Sequence, residues 1–150
     1  MDEPLLADLA AAVTVAGKLA GKRARAGADV IRHATAARWV GIYAVADGTV
    51  TNLGWSGPAP PAHPVFPVDQ GLTSHAVRSR AVAVSNDVAG DPRYLTNQDD
   101  SGSDLIVPVV ASGRVIGTLD VESDAVGAFG GADIARYESL ARALVALWTS

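Results

Sequence analysis

Apolar positions recur with a helical period at both ends of the chain and with a two-residue period between them. Leu5, Leu9, Ala12, Ala16 and Leu19 are spaced 4-3-4-3, which draws one apolar stripe along a helix. Asp2 and Glu3 precede Pro4, a suitable start, because proline lacks only an N–H that has no partner in the first turn. Gly17, Gly21 and Gly27 weaken the later turns and predict a break near Gly21–Gly27, with helix resuming through Ala28–Ala36. At the other end Ile134, Tyr137, Ala141, Leu144 and Trp148 are spaced 3-4-3-4, with Asp133 placed to favour the positive end of the helix dipole. Both stripes are short heptad-like seams. They serve equally well for packing on their own sheet and each other, or for pairing two subunits.

The middle of the chain alternates. Arg38–Val45 and Thr49–Trp55 flank Asp47-Gly48, a two-residue turn suited to positive φ and hence to a hairpin. Gly57–Pro64 follows with four prolines and cannot form a central strand, because each proline removes an N–H donor. Gly71–Arg80 reads as a short helix and Ala81–Ser85 as a strand. Asn86–Ser103, rich in Asp, Asn, Gly and Ser, reads as a long loop, and loops of that length are often functional. Asp104–Ala111 and Arg114–Ser123 form a second hairpin across Ser112-Gly113. This order predicts an α+β domain, an antiparallel sheet with the terminal helices on one face.

Residues two apart on a strand share a face, so Thr118, Asp120 and Glu122 point one way and Leu119 and Val121 the other. Either the two carboxylates lie near the strand end and are solvated, or they line a pocket for an amine, a polar ligand or a cation. Asp104 opens the neighbouring strand and can join them. Three carboxylates close together repel, which raises at least one pKa unless a cation joins them. Trp39 and Tyr43 share a face of the first strand, as an aromatic wall or as ordinary core. The start of the short helix, at Gly71-Leu72, offers free N–H groups to an anion. His33, His63 and His75 have no metal-ligand spacing, and no metal or other cofactor is expected. Neither a GxSxG elbow nor a glycine-rich phosphate loop is present.

Composition narrows the chemistry. At 150 residues the chain is one domain able to bury roughly 70% of its unfolded surface. It contains no cysteine, which excludes disulfides and thiolate chemistry. The net charge of −4 argues against nucleic acid as a partner. Six of the twelve basic residues fall between Lys18 and Arg38, where they read as a solvated helix face. The acidic N-terminus lacks the basic start of a signal peptide, and Leu5–Ala16 is too short to span a bilayer. A cytoplasmic location without membrane contact is expected.

Several segments together resemble a GAF domain: Arg38-Trp-Val-Gly-Ile-Tyr43, Val68-Asp-Gln-Gly-Leu72, Val88-Ala-Gly-Asp-Pro-Arg-Tyr94, Ser103-Asp-Leu-Ile-Val-Pro108 and Gly113-Arg-Val-Ile-Gly-Thr-Leu-Asp-Val-Glu-Ser123, in that order, with Ala128-Phe129 and Asp133 before the last helix. The resemblance implies a GAF/PAS-like antiparallel sheet with N- and C-terminal helices on one face and a ligand pocket on the other. It divides the chain into an N-terminal helical segment, 1–37, packing with the C-terminal helix, and a core, 38–150. It also implies a homodimer through the terminal helices.

Within that family the chain is similar to the free methionine-(R)-sulfoxide reductases, which use cysteine thiolates for reduction and acidic and aromatic residues to hold the sulfoxide. By this resemblance Trp39 and Tyr43 stand for the aromatic wall, Asp104 for a pocket glutamate, and Asp120 and Glu122 for an acidic pair. The cysteine positions hold His63, Thr73 and Asn97, none of which can form a sulfenic acid and then a disulfide. A related branch is similar to nitrate receptors that work beside sensor kinases. The expected function is therefore a non-catalytic ligand-sensing protein, with Trp39, Tyr43, Leu72, Thr73, Asn97, Asp104, Asp120 and Glu122 binding an amino-acid-like or nitrate-like ligand. A structural or dimerisation module with a vestigial pocket is the alternative, and a reductase-like enzyme the least favoured. A signalling role would need a separate partner such as a sensor kinase, and loop 86–103 would act as a lid.

Overall fold

The computed structural model describes residues 2–14, 20–97 and 101–149. Its elements run α1 (Glu3–Val13), α2 (Ala20–Thr35), β1 (Trp39–Ala46), β2 (Thr49–Ser56), β3 (Val65–Pro67), α3 (Gly71–Ser79), β4 (Ala83–Ser85), β5 (Ser103–Ala111), β6 (Arg114–Ser123), α4 (Gly131–Leu144) and α5 (Ala146–Thr149). The six strands form one sheet in the order β3-β2-β1-β6-β5-β4, every adjacent pair antiparallel. The two hairpins turn where alternation stops. Asp47 and Gly48 both take positive φ, 53° and 75°, as do Ser112 and Gly113, 52° and 74°. These are the turn conformations whose twist matches the flanking strands.

The terminal helices cover one face. Val40 and Ile42 from β1, Leu105 and Val107 from β5, and Leu119 and Val121 from β6 pack with Leu9, Ile31, Leu140 and Leu144. Each fully buried aliphatic side chain in this layer contributes roughly 1.5–3 kcal/mol. α1 lies against α2 and α4, and Arg136 of α4 reaches Asp2 across 3.0 Å.

Four expectations need correction. The helix break does not fall at Gly21–Gly27, since α2 runs through both glycines and α1 ends at Val13. Gly27 is a point of close approach between α1 and α2: a Cβ there would lie 2.9 Å from Val13 Cγ1 and 3.3 Å from Leu9 Cδ1. The buried Arg23 donates from Nη1 to the Val13 carbonyl at 2.9 Å and closes the end of α1. Ala16, Gly17, Lys18 and Leu19, part of the expected stripe and its break, lie outside the described residues. The last helix is not continuous to Trp148; α4 stops at Leu144, and α5 carries the half-buried Trp148. The strand after the short helix begins at Ala83 rather than Ala81, because Arg80 closes α3 in the left-handed conformation. Finally, β3 was not expected. It is three residues long, bounded by Pro64 and Pro67, and pairs only with β2, the edge position that proline tolerates.

Candidate functional site

The opposite face of the sheet carries polar residues, and they are buried. On β6 Thr118, Asp120 and Glu122 are 1%, 7% and 0% exposed, and Asp104 on β5 is 3% exposed. Solvation near a strand end is therefore excluded for the acidic pair. The strand register explains the grouping. Asp104 is paired with Glu122, and Ile106 with Asp120. On the other side of β6, Trp39 is paired with Glu122, Gly41 with Asp120 and Tyr43 with Thr118. One ligand-capable oxygen from each of Asp104, Asp120 and Glu122 lies within 4.8 Å of the others.

These groups border a cavity of about 30 Å³ lined by Tyr43, His63, Phe66, Gly71, Leu72, Thr73, Leu95, Asn97, Asp104, Ile106 and Asp120. α3 closes one side by packing Leu72 and Ala76 on Ala83 and Ile106. Tyr43 meets Phe66 edge to face, with ring centres 5.9 Å apart. Of the eight site residues expected from sequence, the structure places Tyr43, Leu72, Thr73, Asn97, Asp104 and Asp120 in this wall. Trp39 and Glu122 stand behind it. The Trp39 indole is fully buried, donates from Nε1 to the Ala59 carbonyl at 2.9 Å, and lies so close under Gly57 that a Cβ there would come within 2.3 Å of the ring.

Glu122 is taken up by the loop. It accepts hydrogen bonds from the Tyr94 hydroxyl at 2.6 Å and the Ser101 hydroxyl at 2.5 Å on Oε1, and from Asn97 Nδ2 on Oε2. Asn97 also accepts from the Ala62 N–H at 3.1 Å, so it joins this loop to the proline-rich connection. Near its start the loop is tied to the approach to α4, where Asn86 donates to the Phe129 carbonyl at 3.1 Å and accepts from the Phe129 N–H at 3.0 Å.

Sequence reasoning missed Phe66, Leu95 and Ile106 as wall residues, and Tyr94 and Ser101 as partners of Glu122. Tyr94 had a signal, being the one aromatic residue between Asn86 and Ser103. Ser101 had none, being one hydroxyl among several. His63, Thr73 and Asn97, the three positions that the resemblance gave to cysteine, meet at the cavity although they lie far apart along the chain.

The electrostatics are unfavourable in the absence of a counter-charge. Burial, and then the Glu122 charge, push the Asp104 carboxyl up to about 8. Burial, and then the facing Asp104, push Asp120 well above the usual carboxylate range. Both shifts favour keeping a proton within the pair as pH approaches neutrality. Burial and the Asp120 charge also raise the Tyr43 hydroxyl. Among the described residues, three buried atoms on this face have no hydrogen-bond partner: Thr118 Oγ1, Asp120 Oδ1 and Asp104 Oδ1. The great majority of buried polar atoms in folded proteins are paired, so an ordered water or a polar ligand would satisfy these atoms.

The sequence profile of the GAF domain family matches residues 23–147. The chain belongs to the GAF family. Among solved structures, this GAF domain is similar to the type II free methionine-R-sulfoxide reductase from Thermoplasma acidophilum, with 26% identity, 87% of this chain and 93% of that one covered, and a TM-score of 0.80. It is similar to a putative GAF sensor protein from Burkholderia vietnamiensis, with 25% identity, coverage of 97% and 94%, and a TM-score of 0.79. The free methionine-R-sulfoxide reductase from Neisseria meningitidis, solved in complex with its substrate, shares the fold at 24% identity, coverage of 97% and 86%, and a TM-score of 0.85. A search of curated proteins returned no match. Among the described residues no helix is long and apolar enough to cross a membrane.

Proposed function

We propose that this GAF domain is a non-catalytic cytoplasmic sensor whose pocket receives a small, amino-acid-like molecule through its ammonium group. The observation that carries the reading is the pair of unpartnered carboxyl oxygens, Asp104 Oδ1 and Asp120 Oδ1, on residues lining a buried cavity. An ammonium group supplies hydrogen-bond donors and the missing positive charge together. Gly71, Leu72 and Thr73 at the start of α3 line the same cavity, where first-turn N–H groups suit the carboxylate of a zwitterion. Tyr43, Phe66, Leu95 and Ile106 supply the apolar wall. The absence of cysteine removes the thiol chemistry of a reductase and leaves recognition.

Signalling would pass through a second protein, such as a sensor kinase, and a homodimer would use the outer faces of α1 and α4. The alternative, a structural module, draws support from the small size of the cavity. Native mass spectrometry of purified protein tests both, because it reports retained ligand and subunit number. Calorimetry with free amino acids and their sulfoxides follows. Asp104→Asn and Asp120→Asn are each expected to weaken an ammonium ligand at least tenfold, the cost of about 1.4 kcal/mol or more. Binding of nitrate alone, untouched by either change, would replace the ammonium reading with an anion at α3. Turnover of free methionine sulfoxide with thioredoxin would overturn the non-catalytic one.

A further inference from the structure

The carboxylates of β5 and β6 have the spacing of a metal site as well as of an ammonium site. Oxygens bound to one cation lie at most twice the metal–oxygen distance apart, roughly 4–5 Å over the range from magnesium to calcium, and one oxygen from each of Asp104, Asp120 and Glu122 lies within 4.8 Å of the others. Crowded acidic residues alone would say little. The second observation is that Asp104 and Asp120 are 3% and 7% exposed, line the cavity, and each leave Oδ1 without a partner. No lysine or arginine is among the described residues that line the cavity to supply a counter-charge. Glu122 Oε2 accepts from Asn97 and retains a lone pair.

We infer that Asp104 and Asp120 form a binding site for one hard divalent cation of the Mg²⁺ or Mn²⁺ class, with the Glu122 carboxylate behind them adding negative charge. Oxygen-only donors select hard ions over zinc or copper. A cavity of about 30 Å³ suits a small ion with a water or two better than the larger shell of calcium. The inference does not rest on the ligand reading. Where both hold, metal and ammonium compete for the same oxygens, so the cation becomes a regulator of the sensor. Ligand spacing along the chain could not reveal the site, because its members come from two strands and are brought together by register.

The test is titration of metal-stripped, full-length protein with Mn²⁺, with free Mn²⁺ read by electron paramagnetic resonance. One tightly bound Mn²⁺ per chain is expected, weakened at least tenfold by Asp104→Asn and by Asp120→Asn, and unchanged by Asp124→Asn, an exposed carboxylate beyond β6. Mn²⁺ should also raise the melting temperature of the wild type and not that of Asp120→Asn, a readout that registers binding only in folded protein. Circular dichroism verifies that each variant is folded. The inference is overturned if the wild type binds no Mn²⁺ at millimolar metal, or if all three variants bind it as the wild type does. Because Mn²⁺ is the probe, either outcome leaves the ammonium reading to its own calorimetric test.

Discussion

The two faces of one sheet follow opposite rules. On the face under α1, α2 and α4, inward positions are apolar and closely packed: Val40, Ile42, Leu105, Leu119 and Val121 have no exposure. On the other face, the residues alternating with them include Asp104, Thr118, Asp120 and Glu122, also buried, and the first three each leave a polar atom without a partner among the described residues. The same strands therefore carry a layer that stabilises the fold and a layer that opposes it. Buried, unpartnered carboxyls are costly, and a domain of this size tolerates them because the helix-side core is large. The proposed site lies where stability is given up.

The comparison can be broken most severely from the helix side. Leu119→Ala is expected to lower unfolding free energy by about 2–5 kcal/mol, through lost burial and the cavity it leaves, as measured by urea denaturation. A loss below about 1 kcal/mol would show that this face is not the main source of stability.

The pocket side should respond with the opposite sign. Asp120→Asn keeps the shape and removes one buried acid, and is expected to stabilise the ligand-free and metal-free protein at pH 8 by about 1–3 kcal/mol. The pH dependence sharpens the point. A carboxyl raised in the folded state binds protons there that the unfolded chain releases. Its contribution is thus fully present below the ordinary aspartate value near 4 and is lost as pH rises through the folded value, about 8 for Asp104. Wild-type stability should accordingly fall from pH 5 to pH 8 by up to about 1.4 kcal/mol per pH unit for each retained proton, and Asp120→Asn should flatten that slope. A stability that rises over this range would contradict the shared proton.

Smaller effects test the loop. Tyr94→Phe removes one donor from Glu122 and should cost about 1.5 kcal/mol, within the range for hydrogen bonds to charged groups. Hydrogen exchange over residues 86–97 should quicken in the same variant, and no change there would detach Tyr94 from the ordering of the loop. The smallest change is expected at Asp91, whose carboxyl is held well below the usual range by Arg93 at 2.6 Å. A lowered carboxylate contributes above pH 4 and loses that contribution as pH falls further. This ion pair lies at the surface, so Asp91→Asn should cost less than about 1 kcal/mol in the same urea assay.

Most of the secondary structure was legible because its signals are local. The 3-4 spacing of Tyr137, Ala141 and Leu144, the Asp47-Gly48 and Ser112-Gly113 turns, and the alternation along β1 and β6 each depend on a few neighbouring residues. The misplaced helix break had a different origin. Glycine weakens an isolated helix, but at Gly27 the contact with Val13 and Leu9 outweighs that preference. The edge strand β3 was hidden because prolines bound it and its pairing to β2 is not local. For the site, sequence placed Asp120 and Glu122 on one face and left open whether that face met solvent. It could not distinguish Asp120, in the cavity wall, from Glu122, turned into the loop, because that division depends on hydrogen bonds from Tyr94, Asn97 and Ser101.

By itself the sequence determined the fold class, the family resemblance, the absence of thiol chemistry and the pairing of carboxylates on one strand face, all of which follow from residue identity and short-range periodicity. The tertiary structure decided that those carboxylates are buried, that Asp104 joins them, that His63, Thr73 and Asn97 meet beside them, and that two of their oxygens lack partners among the described residues. Burial and pairing are properties of what the rest of the chain brings to a position, and strand register together with loop closure sets them here.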